Sequence, residues 1–178
     1  EIKMAWEGRE YIIPLPLFGD FQANNVLLAL GILCKCGENP NKVINLLSRL
    51  KAVPGRMEEV AVRKNGARIF VDYAHTPDAL DAALRSIRAH FMGQIHLVFG
   101  AGGDRDKGKR GMMGRVASEL TDNVIITDDN PRNENPATIR SEIRKFCPKA
   151  TVIADRAKAI LVGVDQLKAG DALIIAGK

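Results

Sequence analysis

The last two thirds of the chain alternate between short apolar runs and longer amphipathic segments, and this order restricts the possible fold more than any other feature. Apolar runs rich in β-branched residues predict strands, and longer segments with apolar residues three or four apart predict helices. Strands that alternate with helices run parallel and are covered on both faces, so we expect an α/β fold with a Rossmann-like, mostly parallel sheet. The predicted strands are 69–73, 95–99, 124–127, 151–154 and 172–176, and the predicted helices are 77–91, 109–120, 136–146 and 156–167.

Two turn signals precede this alternation. Asn65-Gly66 separates the segments 58–63 and 67–73, and this dipeptide favours a tight antiparallel hairpin, which we place at the edge of the sheet. Val53-Pro54-Gly55 interrupts the pattern further upstream. We therefore predict two domains, 1–53 and 54–178.

The first 53 residues show a different pattern. Two short strands, 4–6 and 10–14, flank Glu7-Gly8. A helix is predicted over 24–36, ending before Gly37, because glycine commonly follows a helix end. A second helix is predicted over 41–50.

Composition excludes several classes of protein. The net charge of +5 is modest and the basic residues are dispersed except in 105–115, which favours an anionic small ligand over nucleic acid. The three cysteines lack a paired CxxC spacing, so we expect a reducing cytoplasm and no cysteine metal site. No apolar run approaches the roughly 20 residues that a membrane span needs, and we expect no membrane partner.

The loop after the predicted strand 124–127 carries the sequence DDNPR (128–132). In a parallel α/β sheet, ligands bind at the carboxyl ends of strands. Asp129 can accept from an ammonium group, and Arg132 can hold a carboxylate in a bidentate fork. Together these side chains suit an amino acid. The alternative is an Asx-Pro turn with solvated charges.

A second polar loop follows strand 69–73. Thr76, Pro77 and Asp78 are explained by the helix that they begin, as cap, first-turn proline and dipole partner. A carboxylate that ends a buried strand needs a partner, and for Asp72 a ribose hydroxyl pair is a good one. For His75 the alternative to a functional role is a satisfied core histidine.

A third loop, 100–110, combines four glycines with four cations near a helix start. The glycines permit close backbone approach and the cations form a possible anion cradle, with a solvated basic turn as the alternative. The loop matches neither familiar phosphate fingerprint, because Arg105 replaces a small residue and no Ser or Thr follows Lys109.

Arg56 lies at the predicted domain boundary, where it could reach a phosphate. A salt bridge to Glu58 or Glu59 is equally compatible with the sequence.

These motifs, taken in order, closely resemble those of the Mur ligases of peptidoglycan synthesis. The ordered set is PGRME (54–58), DYAHTPDAL (72–80), FGAGGDRDKGKR (99–110) and DDNPR (128–132). The segment 16–30, with Gly19, Phe21 and Asn25, resembles the end of the central ATPase domain of that family, although Gln22 stands where many members have Asn. The resemblance implies that residues 1–53 end the central ATP-binding domain and that 54–178 form the C-terminal Rossmann-like domain.

The resemblance also implies an activity. Within the family the motifs are most similar to the type that adds meso-diaminopimelate to UDP-MurNAc-L-Ala-D-Glu, using ATP and Mg²⁺ and passing through an acyl phosphate. The P-loop and the Mg²⁺ ligands of the family have no counterpart in the printed sequence, so we expect the chain to be inactive alone. The expected partners are these small molecules, with no nucleic acid and no membrane, and we expect a monomer in the cytoplasm.

Residue roles follow by position. In the family, the counterparts of Asn25, Arg56 and Asp72 contact the nucleotide, and the counterpart of His75 is needed for activity, so His75 is the candidate catalytic residue. The amino acid is bound by the counterparts of Arg105, Asp129, Asn130, Pro131 and Arg132.

Two alternatives stay open. A lysine-adding enzyme of the same fold is one, and Arg132 discriminates against it because a cation repels the lysine side chain. A non-catalytic nucleotide-binding module is the other, and a P-loop in the longer sequence would exclude it.

Overall fold

The computed structural model describes residues 1–177, whose contacts divide the chain into two units, Glu1–Val53 and the residues from Pro54 onward. The first unit opens with an antiparallel hairpin of β1 (Ile2–Trp6) and β2 (Arg9–Ile13). Glu7 and Gly8 turn this hairpin with positive φ angles of 49° and 76°. The two strands that the sequence predicted around Glu7-Gly8 are therefore present.

The helices of the first unit differ from the prediction. Helix α1 (Asp20–Lys35) begins four residues before the predicted start at 24. The prediction of one helix over 41–50 is wrong, since α2 (Pro40–Ile44) ends early and only a 3-10 turn (Leu47–Arg49) follows. Asn45, a residue type that disfavours helix interiors, is the C-terminal cap residue of α2. Val26, Leu30, Val43, Ile44 and Leu47 bury their side chains against the hairpin residues Ile2 and Ile13.

The second unit is a six-stranded sheet flanked by helices. The strands stand in the order β3-β4-β8-β5-β6-β7, and only the β3–β4 pair is antiparallel. The strands are β3 (Glu58–Val62), β4 (Arg68–Asp72), β5 (Ile95–Phe99), β6 (Asn123–Ile126), β7 (Thr151–Val152) and β8 (Ala172–Ala176), and the helices are α3 (Pro77–Arg88), α4 (Gly108–Leu120), α5 (Pro136–Arg144) and α6 (Arg156–Asp165). The predicted mostly parallel sheet with an antiparallel edge hairpin is confirmed.

The core lies on both sides of the central strands. All residues of β5 and β8 are buried, as expected for strands covered on two faces. Val98, Leu173 and Ile125 pack with Ala159 of α6 in one cluster. The α3–α4 and α4–α5 pairs form the other helical layer.

Helix α3 ends three residues before the predicted end because the chain turns sharply there. The guanidinium Nη1 of Arg88 donates to the carbonyl of Gly93 at 2.9 Å. A Cβ at Gly93 would lie 2.3 Å from the oxygen of Gly170, so the close approach of these two segments requires glycine at position 93. No helix within residues 1–177 is long and apolar enough to cross a bilayer.

Candidate functional site

A cavity of about 610 Å³ opens at the carboxyl edge of the parallel sheet. Its walls come from the loops that follow β4, β5 and β6 and from the end of β8, all within the second unit. Five of the predicted site residues, His75, Arg105, Asp129, Asn130 and Arg132, thus line one space. The remaining lining residues are Tyr73, Gly100, Ala101, Gly102, Lys109 and Gly177.

The loop after β6 is an Asx turn that also supplies charged groups. The Asp129 carboxylate accepts from the amide of Asn130 at 2.8 Å, and the Asn130 side-chain oxygen accepts from the amide of Arg132 at 3.2 Å. Arg132 has a left-handed φ of 48°, an uncommon conformation for a side chain of its size. The turn and the ligand-binding interpretations of this segment are therefore compatible.

The guanidinium of Arg132 is fixed against the neighbouring loop. Its Nη1 donates to the carbonyl of Gly103 at 2.7 Å. A Cβ at Gly102 would lie 2.8 Å from the same nitrogen. This contact orients the fork where a ligand carboxylate can meet its other N–H groups.

The glycines after β5 serve a purpose that the sequence did not indicate. The Gly103 amide donates to the carbonyl of Asn130 at 2.8 Å. A Cβ at Gly103 would lie 1.9 Å from the oxygen of Pro131, and one at Gly100 would lie 2.5 Å from the oxygen of Thr127. We expected these glycines to permit close backbone approach, and the backbone that approaches them is that of the adjacent loop.

Two of the four cations in the predicted anion cradle pair with carboxylates of the protein, one of them buried and the other exposed. Arg110 is fully buried and pairs with Glu134 and Glu142, both at 2.7 Å. Lys107 lies 3.6 Å from Glu134. Arg105 and Lys109 line the cavity, so the positive charge that faces a ligand comes from these two residues and Arg132.

Asp72 has structural partners at the end of β4. Its two carboxylate oxygens accept from the amides of Ala74 and Met57, each at 2.8 Å. The side chain is buried and joins the turn after Gly55 to the end of the strand. The partner that sequence reasoning required for this carboxylate is thus backbone, and a ribose contact would be additional.

Tyr73 links two predicted site residues. The guanidinium carbon of Arg56 lies 5.0 Å from the centroid of the Tyr73 ring, and the His75 ring lies 5.2 Å from it. His75 Nδ1 is 3.0 Å from the Tyr73 carbonyl oxygen. Since a carbonyl only accepts, Nδ1–H is the donor in this contact, and Nε2 is the ring nitrogen left for another partner.

The alternative partners that we considered for Arg56 have contacts of their own. Glu58 accepts from the amide of Gly55 at 2.7 Å, and Glu59 pairs with Arg68 at 2.8 Å. Asn25 lies on α1 in the first unit, where its amide donates to Gln22 at 3.3 Å. It is not among the residues that line the cavity.

Two arginines behind the loops were missed by sequence reasoning. Arg156 donates to the carbonyl of Ala176 at 2.9 Å, and burial lowers its pKa despite the attraction of Asp129. Arg140 forms an ion pair with Asp128, so the first carboxylate of the DDNPR motif is structural. The sequence could have indicated a special role for Arg156. A cation in the first turn of a helix is unfavourable with the helix dipole, so another contact must stabilise it.

Comparison with known proteins gives the family. A model described as "Mur ligase, glutamate ligase domain" matches residues 55–178. The ligase named UDP-N-acetylmuramoyl-L-alanyl-D-glutamate--2,6-diaminopimelate ligase in Mesorhizobium japonicum is 50% identical over 172 residues, which are 97% of this chain and 36% of that protein. The protein of the same name in Bradyrhizobium diazoefficiens is 49% identical over all 178 residues, again 36% of its length.

Solved structures agree with this result. The structure of a ligase with the same name superposes with a TM-score of 0.70 at 35% sequence identity. The superposition covers 99% of this chain and 37% of the other. Folylpolyglutamate synthase of Mycobacterium tuberculosis superposes with a TM-score of 0.75 at 22% identity over 95% of this chain and 40% of the other, which shows the shared fold. The chain spans little more than a third of the length of the curated relatives that it matches. On the family match over residues 55–178, the chain belongs to the Mur ligase family.

Proposed function

We propose that the second unit is the amino-acid-binding domain of an ATP-dependent ligase that joins meso-diaminopimelate to UDP-MurNAc-L-Ala-D-Glu. The observation that carries this proposal is the single cavity in which Asp129 lies with the guanidinium groups of Arg105 and Arg132. The relatives named for this activity share about 50% sequence identity with the chain, which supports the same substrate class.

The charges of the cavity suit a diamino dicarboxylate. Asp129 is the acidic lining residue and can receive an ammonium, while Arg132 can receive a carboxylate in its planar fork. Arg105 and Lys109 add two further cations, more than a simple amino acid with one carboxylate requires. Asn130 and Pro131 shape and stiffen the loop that presents Arg132, which reduces the entropy lost when the ligand binds.

The loop after β4 supports the nucleotide assignment. Each Asp72 oxygen accepts one amide and retains a second lone pair for a hydroxyl group. Arg56 is held beside the ring of Tyr73 in a cation–π contact, which keeps a cation at the start of the second unit. Asn25, from α1, is proposed to contact the adenine. In this proposal ATP supplies the phosphoryl group that activates the D-Glu carboxylate.

His75 is proposed to act at the boundary between the two ligands. It lines the cavity with Arg132 and adjoins Tyr73, which contacts Arg56. Its Nδ1 faces the Tyr73 carbonyl, so Nε2 is the ring nitrogen available to a substrate group. This position suits a residue that helps the incoming amine lose its proton.

The first unit is proposed to end a larger central domain. Helix α1 leaves Leu28 66% and Ile32 55% exposed, although most helices in complete domains bury such an apolar surface. Within residues 1–177 no cluster of three or more His, Cys, Asp or Glu side chains is suited to a metal ion. As the resemblance to the family implies, the Mg²⁺ ligands of the proposed reaction are proposed to lie in the longer protein.

The test is a ligation assay with the full-length protein that contains this chain. We expect ADP and phosphate release to depend on both UDP-MurNAc-L-Ala-D-Glu and meso-diaminopimelate, with a product whose mass equals the two substrates minus water. Lysine in place of diaminopimelate should react poorly. Preference for lysine would assign the chain to the lysine-adding type, and nucleotide binding without phosphate release would indicate a binding module.

A further inference from the structure

Arg110 is a fully buried cation that the cavity does not use. It lies in the first turn of α4, and its guanidinium donates to the two oxygens of Glu134 at 2.9 and 2.7 Å. It also donates to Glu142 at 2.7 Å and to the Gly102 carbonyl at 3.3 Å. A bidentate contact between a guanidinium and a carboxylate is among the strongest and most directional polar contacts in proteins.

Glu134 lies in the loop after β6, and its side chain contacts the loop after β5. It lies two residues after Arg132, and its amide donates to the Pro131 carbonyl at 2.9 Å. Its carboxylate accepts from the amide of Asp104, in the loop after β5, at 2.7 Å. Hydrogen bonding from Arg110, followed by that from the Asp104 amide, lowers the pKa of Glu134 to about 2, so the carboxylate is charged at neutral pH.

A second contact joins the same two loops. The Asp104 carboxylate accepts from the backbone amide of Asn133 at 3.2 Å and from its side-chain amide at 2.8 Å. Asp104 and Arg132 both have left-handed φ angles, 51° and 48°, a conformation that a non-glycine residue keeps only where its surroundings hold it. The contacts of Glu134 and Asn133 provide that support next to Arg132.

We propose that Glu134 and Arg110 are positioning residues for the amino-acid cavity. They fix the loop that carries Arg105 to the loop that carries Asp129 and Arg132, and so set the separation of the groups that receive the ammonium and the carboxylates. This inference rests on the proposed function for the identity of the ligand. It assigns Glu134 no contact with that ligand.

Glu142 provides the matched control. It bonds the same guanidinium nitrogen of Arg110, but it comes from α5 and not from either loop. Glu142→Gln weakens a charge contact to Arg110 and leaves the contacts of Glu134 in place. Glu134→Gln removes the charge and one acceptor oxygen at the point where the two loops are joined.

The experiment compares both variants with the parent in the full-length protein. We expect Glu134→Gln to raise the KM for diaminopimelate by about ten- to a hundredfold, the effect of losing one or two charge-assisted bonds, and to leave the KM for ATP within about twofold. Glu142→Gln should change both values by less than about threefold. Equal effects of the two variants on the KM for diaminopimelate would overturn the proposal, because the ion pairs would then serve only the fold.

Amide hydrogen exchange gives a readout that does not depend on the identity of the substrate. In Glu134→Gln, the amides of Gly103 and Asp104 should exchange faster, while that of Leu97 in β5 should stay protected. Unchanged exchange at both loop amides would overturn the positioning role, whatever the enzyme ligates. Faster exchange in a protein that ligates no diamino acid would retain the positioning role and reject the proposed function.

Discussion

Arg132 combines two roles in one side chain. It lines the cavity, and it donates to the carbonyl of Gly103 in the adjacent loop. Substitution therefore removes both a candidate ligand contact and a contact between loops. The two contacts can be tested separately, because only a ligand with a second carboxylate depends on the candidate ligand contact of Arg132.

We expect Arg132→Ala in the full-length protein to reduce kcat/KM for meso-diaminopimelate by about two to four orders of magnitude, as expected when a buried charge loses its partner. Lysine has no distal carboxylate, so its already low kcat/KM should fall far less. Both substrates should be measured on both proteins. Equal losses for the two substrates would show that Arg132 holds the loop and does not recognise the substrate.

Asp72 should contribute to stability as well as to nucleotide use. Replacing it with alanine leaves the buried amides of Met57 and Ala74 without their acceptors, at a cost of about 1–3 kcal/mol for each buried group left unsatisfied. We expect Asp72→Ala to lower the free energy of unfolding by at least that amount in urea titrations. In the full-length protein it should also raise the KM for ATP and leave that for diaminopimelate nearly unchanged.

Asp78 offers a control for this experiment, since it is a nearby carboxylate in the first turn of α3 and does not line the cavity. Asp78→Ala should lower the free energy of unfolding by much less than Asp72→Ala does, and it should leave the KM for ATP unchanged. An Asp72→Ala protein as stable as the parent would contradict the role of the two amide contacts.

Some of these residue roles were accessible from sequence and others were not. Thr76 caps α3 as predicted, because capping depends on neighbours three residues or fewer away. The partners of Asp72 include an amide 15 residues distant, and Arg110 meets Glu134 across 24 residues. Such contacts depend on the assembled sheet, which no local pattern specifies.

At the scale of elements, the fit between the two loops depends on glycine. Gly103→Ala would bring a Cβ to 1.9 Å from the Pro131 carbonyl oxygen, a backbone atom that cannot move without displacing Arg132. We expect this variant to raise the KM for diaminopimelate at least about tenfold, equivalent to about 1.4 kcal/mol of lost binding. A change in the KM for ATP alone would contradict this account.

Gly31 is the matched control for the alanine substitution. It lies within α1, has no close neighbour for a Cβ and has an ordinary φ, so Gly31→Ala should preserve the KM values and stabilise the helix by up to about 1 kcal/mol. Differential scanning fluorimetry of the two variants would separate a loss of folding from a change confined to the loops. A strongly destabilised Gly31→Ala protein would contradict the open space beside Gly31 on α1.

Elements were predicted best where burial is uniform. Strands β5 and β8 begin and end at the predicted residues, because both are central and continuously apolar. Strand β7 has two residues instead of four, since it is an edge strand whose two residues are exposed. The helix predicted over 41–50 was wrong because an apolar periodicity continued through Asn45, where α2 ends. Periodicity detects the buried face, but local hydrogen bonding determines where a helix ends.

At the scale of the whole molecule, the residues that line the cavity all belong to the second unit. Of the predicted site residues, Asn25 is in the first unit and the others follow Pro54. The mostly parallel sheet could be predicted from alternation alone, and its carboxyl edge from the order of the polar loops. The strand order β3-β4-β8-β5-β6-β7, which brings the end of β8 beside the loops after β4 and β5, could not, because sequence order does not determine which strands are neighbours.

The printed chain should therefore not catalyse ligation alone. The segment 103–110 has the glycine and lysine spacing of a P-loop, but Arg110 stands where that motif requires Ser or Thr, and its side chain is buried in ion pairs with Glu134 and Glu142. Phosphoryl transfer requires phosphate and metal contacts that this segment does not provide. With ATP, Mg²⁺, UDP-MurNAc-L-Ala-D-Glu and diaminopimelate, the 178-residue chain should release no ADP above a protein-free control, while the full-length protein does so. Tripeptide formed by the 178-residue chain would place the catalytic centre within these residues and reject the assignment of phosphoryl transfer to the longer protein.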